Sequence, residues 1–112
     1  MTDIVLTKNN GNIVQVSVSG HTGYGTSGSD ILCSAISSIV QTALLGILDV
    51  VCVNVDFARD ERNGQLTFAI SSDMDESKMH DCQLILKTML CGLSDLNTEY
   101  SDFMNLEVKN VY

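Results

Sequence analysis

The chain has 112 residues, 45% of them apolar and 18% charged, a balance that suits one globular domain with its own core and excludes a disordered polymer. A net charge of −8 with only six Lys and Arg argues against direct nucleic-acid binding, because phosphate contacts need cations. The acidic field suits a basic peptide or protein partner, or serves solubility alone.

Residues 1–10 carry Asp3 and Lys8 in an alternating pattern and form no apolar block, so no signal peptide and a cytoplasmic location are expected. Ile4-Val5-Leu6 predicts a first strand, Asn9-Asn10-Gly11-Asn12 a tight turn, and 13–18 a second strand alternating at period two. A glycine-rich loop over 20–29 follows. From Ile31 to Leu48, apolar pairs recur every four residues, predicting an amphipathic helix of about five turns with Ser29 or Asp30 as its N-cap. Ser34, Ser37, Ser38, Gln41, Thr42 and Asp49 interrupt the apolar stretch and argue against a membrane span.

The β-branched run over 50–57 predicts a third strand, 60–64 a turn, and 65–71 a fourth strand. An acidic entry over 72–76 leads to a second helix striped by Met79, Cys82, Ile85, Leu86, Met89, Leu93 and Leu96. Residues 104–112 supply a last strand, with Leu106 and Val108 alternating. The order β-β-α-β-β-α-β implies an α+β fold: a single domain over 1–112, with one mixed sheet and two helices packed on it in two layers.

Cysteines stand at positions 33, 52, 82 and 91 without a C-x-x-C pair or a zinc-site spacing, so no metal, disulfide or cofactor is expected. Cys52, Cys82 and Cys91 lie in apolar segments and read as buried small hydrophobes. Cys33 differs. It falls near the third position of the predicted helix, where unpaired N–H groups and the helix dipole favour a thiolate. It lies about 100° from the centre of the apolar stripe, and Ser37 follows one turn later.

His21 ends the preceding strand, and the intervening loop contains Gly23, Gly25 and Gly28, which can bring imidazole and thiol together. A Cys–His pair is the minimum for nucleophilic acyl transfer, and N–H groups at the helix start can hold an oxyanion. The plainer assignment is a small buried cysteine and a polar strand end. Gly23-x-Gly25-x-x-Gly28 also fits a dinucleotide fingerprint, with Asp56 at the end of the next strand as a ribose-binding acid. The hairpin before the motif, the delayed helix start at Ser29 and Asp30, and the short chain speak against that reading.

Gly20-His21, followed by Gly28-Ser29-Asp30-Ile31-Leu32-Cys33-Ser34-Ala35-Ile36-Ser37, resembles the bacterial ribosomal-processing cysteine protease (Prp) family. That family's pattern is a strand ending in Gly-His, a glycine-rich loop, Gly-x-Asp-Ile-[Val/Leu]-Cys-[Ala/Ser], and a serine four residues after the cysteine. The likeness in length and element order covers the whole chain, including 82–90 in the second helix. Thr22 and Ser34 each stand where the family more commonly has alanine, a conservative change in size.

The resemblance implies a cysteine endopeptidase with Cys33 as nucleophile, His21 as general base, and Asp30 and Ser37 at supporting positions. It implies a substrate-gripping loop containing Gly23, Tyr24, Gly25 and Gly28, and a homodimer. The implied substrate is the basic N-terminal extension of a large-subunit ribosomal protein (number twenty-seven), cut after an aromatic residue. From the residues themselves, Asp30 can cap the helix or orient His21, and Ser37 can bond the Cys33 sulfur or its carbonyl. The alternative is a non-catalytic acidic module that grips a basic ribosomal or assembly partner.

Overall fold

Asn10 and Gly11 both adopt positive φ, 53° and 83°, forming the two-residue turn whose twist matches that of the flanking strands. They join β1 (Thr2–Asn9) to β2 (Asn12–Ser19) as the expected hairpin. The computed structural model describes residues 1–20, 26–60, 62 and 64–111, the side chains of 26–30 excepted. After the hairpin come α1 (Thr26–Leu45), a π-helical continuation Gly46–Val51, and the antiparallel pair β3 (Asp56–Asp60) and β4 (Gln65–Ala69). The chain ends in α2 (Glu76–Tyr100) and β5 (Met104–Val111).

The strands form one mixed sheet in the order β3-β4-β2-β1-β5, with β5 parallel to β1 and every other pair antiparallel. The rows Ile4–Val18–Leu66 and Leu6–Val16–Phe68 run across its centre and are buried. Both helices pack on this face and close a two-layer α+β fold around one apolar cluster. Asp3, Gln15, Ser17 and Thr67 occupy the opposite face. α2 is capped by Asp75, whose carboxylate accepts from the Lys78 N–H at 2.7 Å. Its buried stripe is Met79, Cys82, Leu86, Met89 and Leu93, with Ile85 and Leu96 half-buried.

Four expectations are corrected. The third strand does not begin at Val50. The helix runs on to Val51 because Ile47 and Val51, one turn apart, both reach the core. Tertiary burial thus overrides β propensity. Cys52 then ends it in a left-handed conformation (φ 64°), with the Val53 N–H on the Ile47 carbonyl at 3.0 Å. Lys78 Nζ caps the Val51 carbonyl at 2.5 Å, and Asp56 starts β3 instead of ending a strand.

The phase of α1 also differs. Leu32, Ile36, Val40, Ala43, Leu44 and Ile47 are buried, whereas Ile31 is 69% exposed and Leu48 37% exposed. In every apolar pair but Ala43-Leu44 only one member is buried against the sheet, because a single layer covers only about a third of the helix circumference.

At the hairpin, β2 does not alternate evenly. Thr7 pairs with Gln15 but Lys8 pairs with Ile13, leaving Val14 as a bulge. The extra residue reverses the side-chain phase, so Ile13 joins Val16 and Val18 in the core. Gln83, 5% exposed, holds the bulge: its Oε1 accepts the Ile13 N–H and its Nε2 donates to the Ile13 carbonyl, both at 2.8 Å.

Finally, at the far edge of the sheet Val108 is exposed, since β5 extends past the helices that cover its first residues, Met104 and Leu106, and Val111 is exposed on the opposite face, which no helix covers.

Candidate active site

α1 begins at Thr26, so Cys33 is its eighth residue and not its third. No proline halts the helix upstream, and each added residue closes another backbone hydrogen bond. Ser29 and Asp30 are therefore inside the helix and do not cap it. Unpaired first-turn N–H groups belong to residues 26–29 and lie between about one and two turns from Cys33. The expected help of a helix terminus, for the thiolate or for an oxyanion, does not reach that far. This start also removes one objection to a dinucleotide site. The pairing of β2 with β1 and β4, antiparallel on both sides, still denies it the parallel βαβ frame.

Cys33 is half-buried at the edge of the core stripe, next to the fully buried Leu32. It lines a groove of about 260 Å³ between the start of β1, the end of β2, α1 and the β3–β4 hairpin. Ser37 and Gln41 follow Cys33 at successive helical turns and line the same groove, and a shallower depression on the outer side of α1 shares all three. Gln41 Nε2 donates to Ser37 Oγ at 2.5 Å. Across the groove stand Arg59 and Asp60 from the end of β3 and Gln65 from the start of β4. Arg59 sits opposite Leu66 and hence on the helix-bearing face of the sheet.

Gly20 directly follows β2 and lines the groove, and it is the residue immediately before His21. Its φ is +86°, and a Cβ there would stand 2.6 Å from the Met1 carbonyl oxygen, so the chain leaves the strand by a path open to glycine. His21, Thr22, Gly23, Tyr24 and Gly25 lie outside the described residues, and so does the expected Cys33–His21 geometry. Gly28 and Asp30 belong to the backbone of α1.

The other cysteines separate by environment. Cys82 is fully buried, and burial first, then the Asp81 charge, pushes its thiol above the ordinary range against a smaller opposing pull from Lys78. Cys52 and Cys91 are exposed, contrary to expectation, because they lie at a helix terminus and on the outer side of α2. Neither lines the groove. Among the described residues, no group of three His, Cys, Asp or Glu is placed to hold a metal ion. Sequence reading missed Gln41, Arg59, Asp60 and Gln65. Only Gln41 carried a signal, its spacing of eight from Cys33.

The family model for cysteine protease Prp matches residues 1–105. The chain belongs to the Prp family. Among characterised relatives, the ribosomal processing cysteine protease Prp of Staphylococcus aureus is 28% identical over 100 residues, 88% of this chain and 90% of the relative. A crystal structure of the essential S. aureus Prp with a covalently linked product peptide superposes at TM-score 0.83 with 26% identity, covering 96% of this chain and 99% of that one. The same enzyme with a substrate peptide gives TM-score 0.83 at 25% identity and the same coverage. A Streptococcus mutans protein shares the fold at TM-score 0.86 with 22% identity, covering 99% of this chain and 96% of that one. The mixed five-stranded sheet with two helices is thus a Prp fold, and the chain is a cysteine protease by family.

Proposed function

We propose that this Prp-family chain is a cytoplasmic endopeptidase acting as one domain. Its substrate on this reading is the basic N-terminal extension of the large-subunit ribosomal protein numbered twenty-seven. The observation that carries the reading is the groove. It joins Cys33 and Ser37 to Gly20, the residue before His21, in a chain of a cysteine protease family.

His21 takes the Cys33 thiol proton, and the thiolate attacks the scissile carbonyl carbon. The C–N bond breaks as the imidazolium protonates the leaving amine, leaving a thioester on Cys33. Water, deprotonated by His21, then hydrolyses the thioester, and the thiol is restored. Asp30 and Ser37 support this pair, and the segment holding Gly23, Tyr24 and Gly25, ahead of the α1 turn that contains Gly28, closes over the substrate. The net charge of −8 draws a Lys- and Arg-rich extension to the enzyme.

The active species is a homodimer on this reading. Val50 and Leu84, 78% and 56% exposed, flank an apolar trough between α1 and α2 that a second copy would cover.

Mass spectrometry of a peptide spanning the extension tests the function. A single cut by wild type and none by Cys33→Ala or His21→Ala is expected. Binding without cleavage, retained in both variants, would instead identify a non-catalytic module that grips the basic segment.

A further inference from the structure

Cys33, Ser37 and Gln41 form a column at successive turns of α1, all half-buried and all lining the groove. The Gln41 amide donates to Ser37 Oγ at 2.5 Å. A hydroxyl has one proton and two lone pairs. With one lone pair taken by the Gln41 N–H, the Ser37 proton is turned away from Gln41. One turn back on the same face stands Cys33, whose sulfur, once ionised, is an acceptor for that proton. Accepting a hydrogen bond also polarises the hydroxyl and makes it a better donor.

Building on the proteolytic reading, we propose that Gln41 is a positioning residue that aims the Ser37 hydroxyl at Cys33 and thereby steadies the nucleophile. It touches neither the scissile bond nor the sulfur. Its effect passes through Ser37, so a chain with an apolar residue here would leave that hydroxyl free to rotate.

The test uses Gln41→Leu, Gln41→Glu, Ser37→Ala and the Ser37→Ala/Gln41→Leu double variant, each checked for a wild-type far-UV spectrum and melting temperature. Two readouts are taken: kcat and KM on the extension peptide across pH, and the rate of iodoacetamide alkylation at Cys33, resolved by peptide mass spectrometry from Cys52 and Cys91.

Gln41→Leu should lower kcat roughly three- to tenfold with KM unchanged, as expected for losing one neutral hydrogen bond. It should slow Cys33 alkylation at neutral pH by a similar factor and leave the rate at high pH unchanged. Gln41→Glu should do more, because its carboxylate accepts the Ser37 proton and turns it the wrong way. In the Ser37→Ala background, Gln41→Leu should add nothing.

Unchanged kcat and alkylation in Gln41→Leu, an effect on KM alone, or equal losses with and without Ser37 would each overturn the proposal. If wild type fails to cut the peptide, the proteolytic reading fails on that result. The alkylation series then decides by itself whether Gln41 acts on the Cys33 thiol through Ser37.

Discussion

Gln83→Leu probes the bulge on which the phase of β2 depends. Leucine keeps the bulk of the side chain, so little cavity is expected, but both contacts to the Ile13 backbone vanish. Ile13 is fully buried, so its N–H and carbonyl lose their partners where water does not reach. Each orphaned group costs about 1–3 kcal/mol. At mid-range the two groups together cost about 4 kcal/mol, burying an apolar side chain in place of an amide returns about 2 kcal/mol, and the net loss is about 2 kcal/mol. Against a typical total of about 5–15 kcal/mol this is a large share, and it corresponds to a drop in Tm of roughly 4–16 °C for a chain of this size.

Urea unfolding followed by far-UV circular dichroism measures the loss, and hydrogen exchange at the Ile13 amide locates it. Gln83→Glu adds a pH signature. Its carboxylate accepts the Ile13 N–H but cannot donate to the Ile13 carbonyl, so this variant should recover stability as pH falls and the acid protonates. A Gln83→Leu protein within about 0.5 kcal/mol of wild type, the range of an ordinary surface change, would refute the reasoning.

Four further outcomes are expected. Gly20→Ala meets the Met1 carbonyl oxygen at 2.6 Å in a left-handed backbone, so it should destabilise by at least about 1 kcal/mol and lower kcat/KM, measured by thermal melt and peptide cleavage. Native protein should yield Cys52 and Cys91 to a thiol reagent while Cys82 reacts only on unfolding. Because burial raises the Cys82 thiol above its unfolded value, the stability it contributes is full below the ordinary thiol range of about 8.5 and is lost as pH climbs from there through the raised folded value. Denaturant midpoints between pH 7 and 10, compared with those of Cys82→Ala, measure that loss. Raising NaCl should lower kcat/KM for a basic peptide chiefly through KM, since screening weakens the pull of a chain of charge −8, and a neutral peptide should show no such trend.

Local chemistry made much of the fold legible. Asn10-Gly11 fixes a hairpin because that turn needs two positive φ angles, and the stripe of α2 follows helical spacing closely enough to name its buried residues. Long-range packing hid the rest. The helix continues through 46–51 because Ile47 and Val51 face the sheet, a fact their β-branched neighbours do not announce. Ile13 turns inward because of a bulge that a polar residue 70 positions later holds in place. Cys33 and Ser37 were readable from their motif, and both line the groove. Arg59, Asp60 and Gln65 were not, because only the folding of the β3–β4 hairpin carries them across the sheet to α1.

The parallel pairing of β1 with β5 has a consequence for how the protein is made. Thr2 pairs with Met104, so the partners are separated by about a hundred residues of synthesis. At roughly 5–20 residues per second, β1 waits seconds for its second neighbour, protected on one side by β2 and bare along the other. Closing so long a loop is entropically slow, and a bare strand edge invites other chains. The last step of folding is therefore also the one that removes the nascent protein's most adhesive surface.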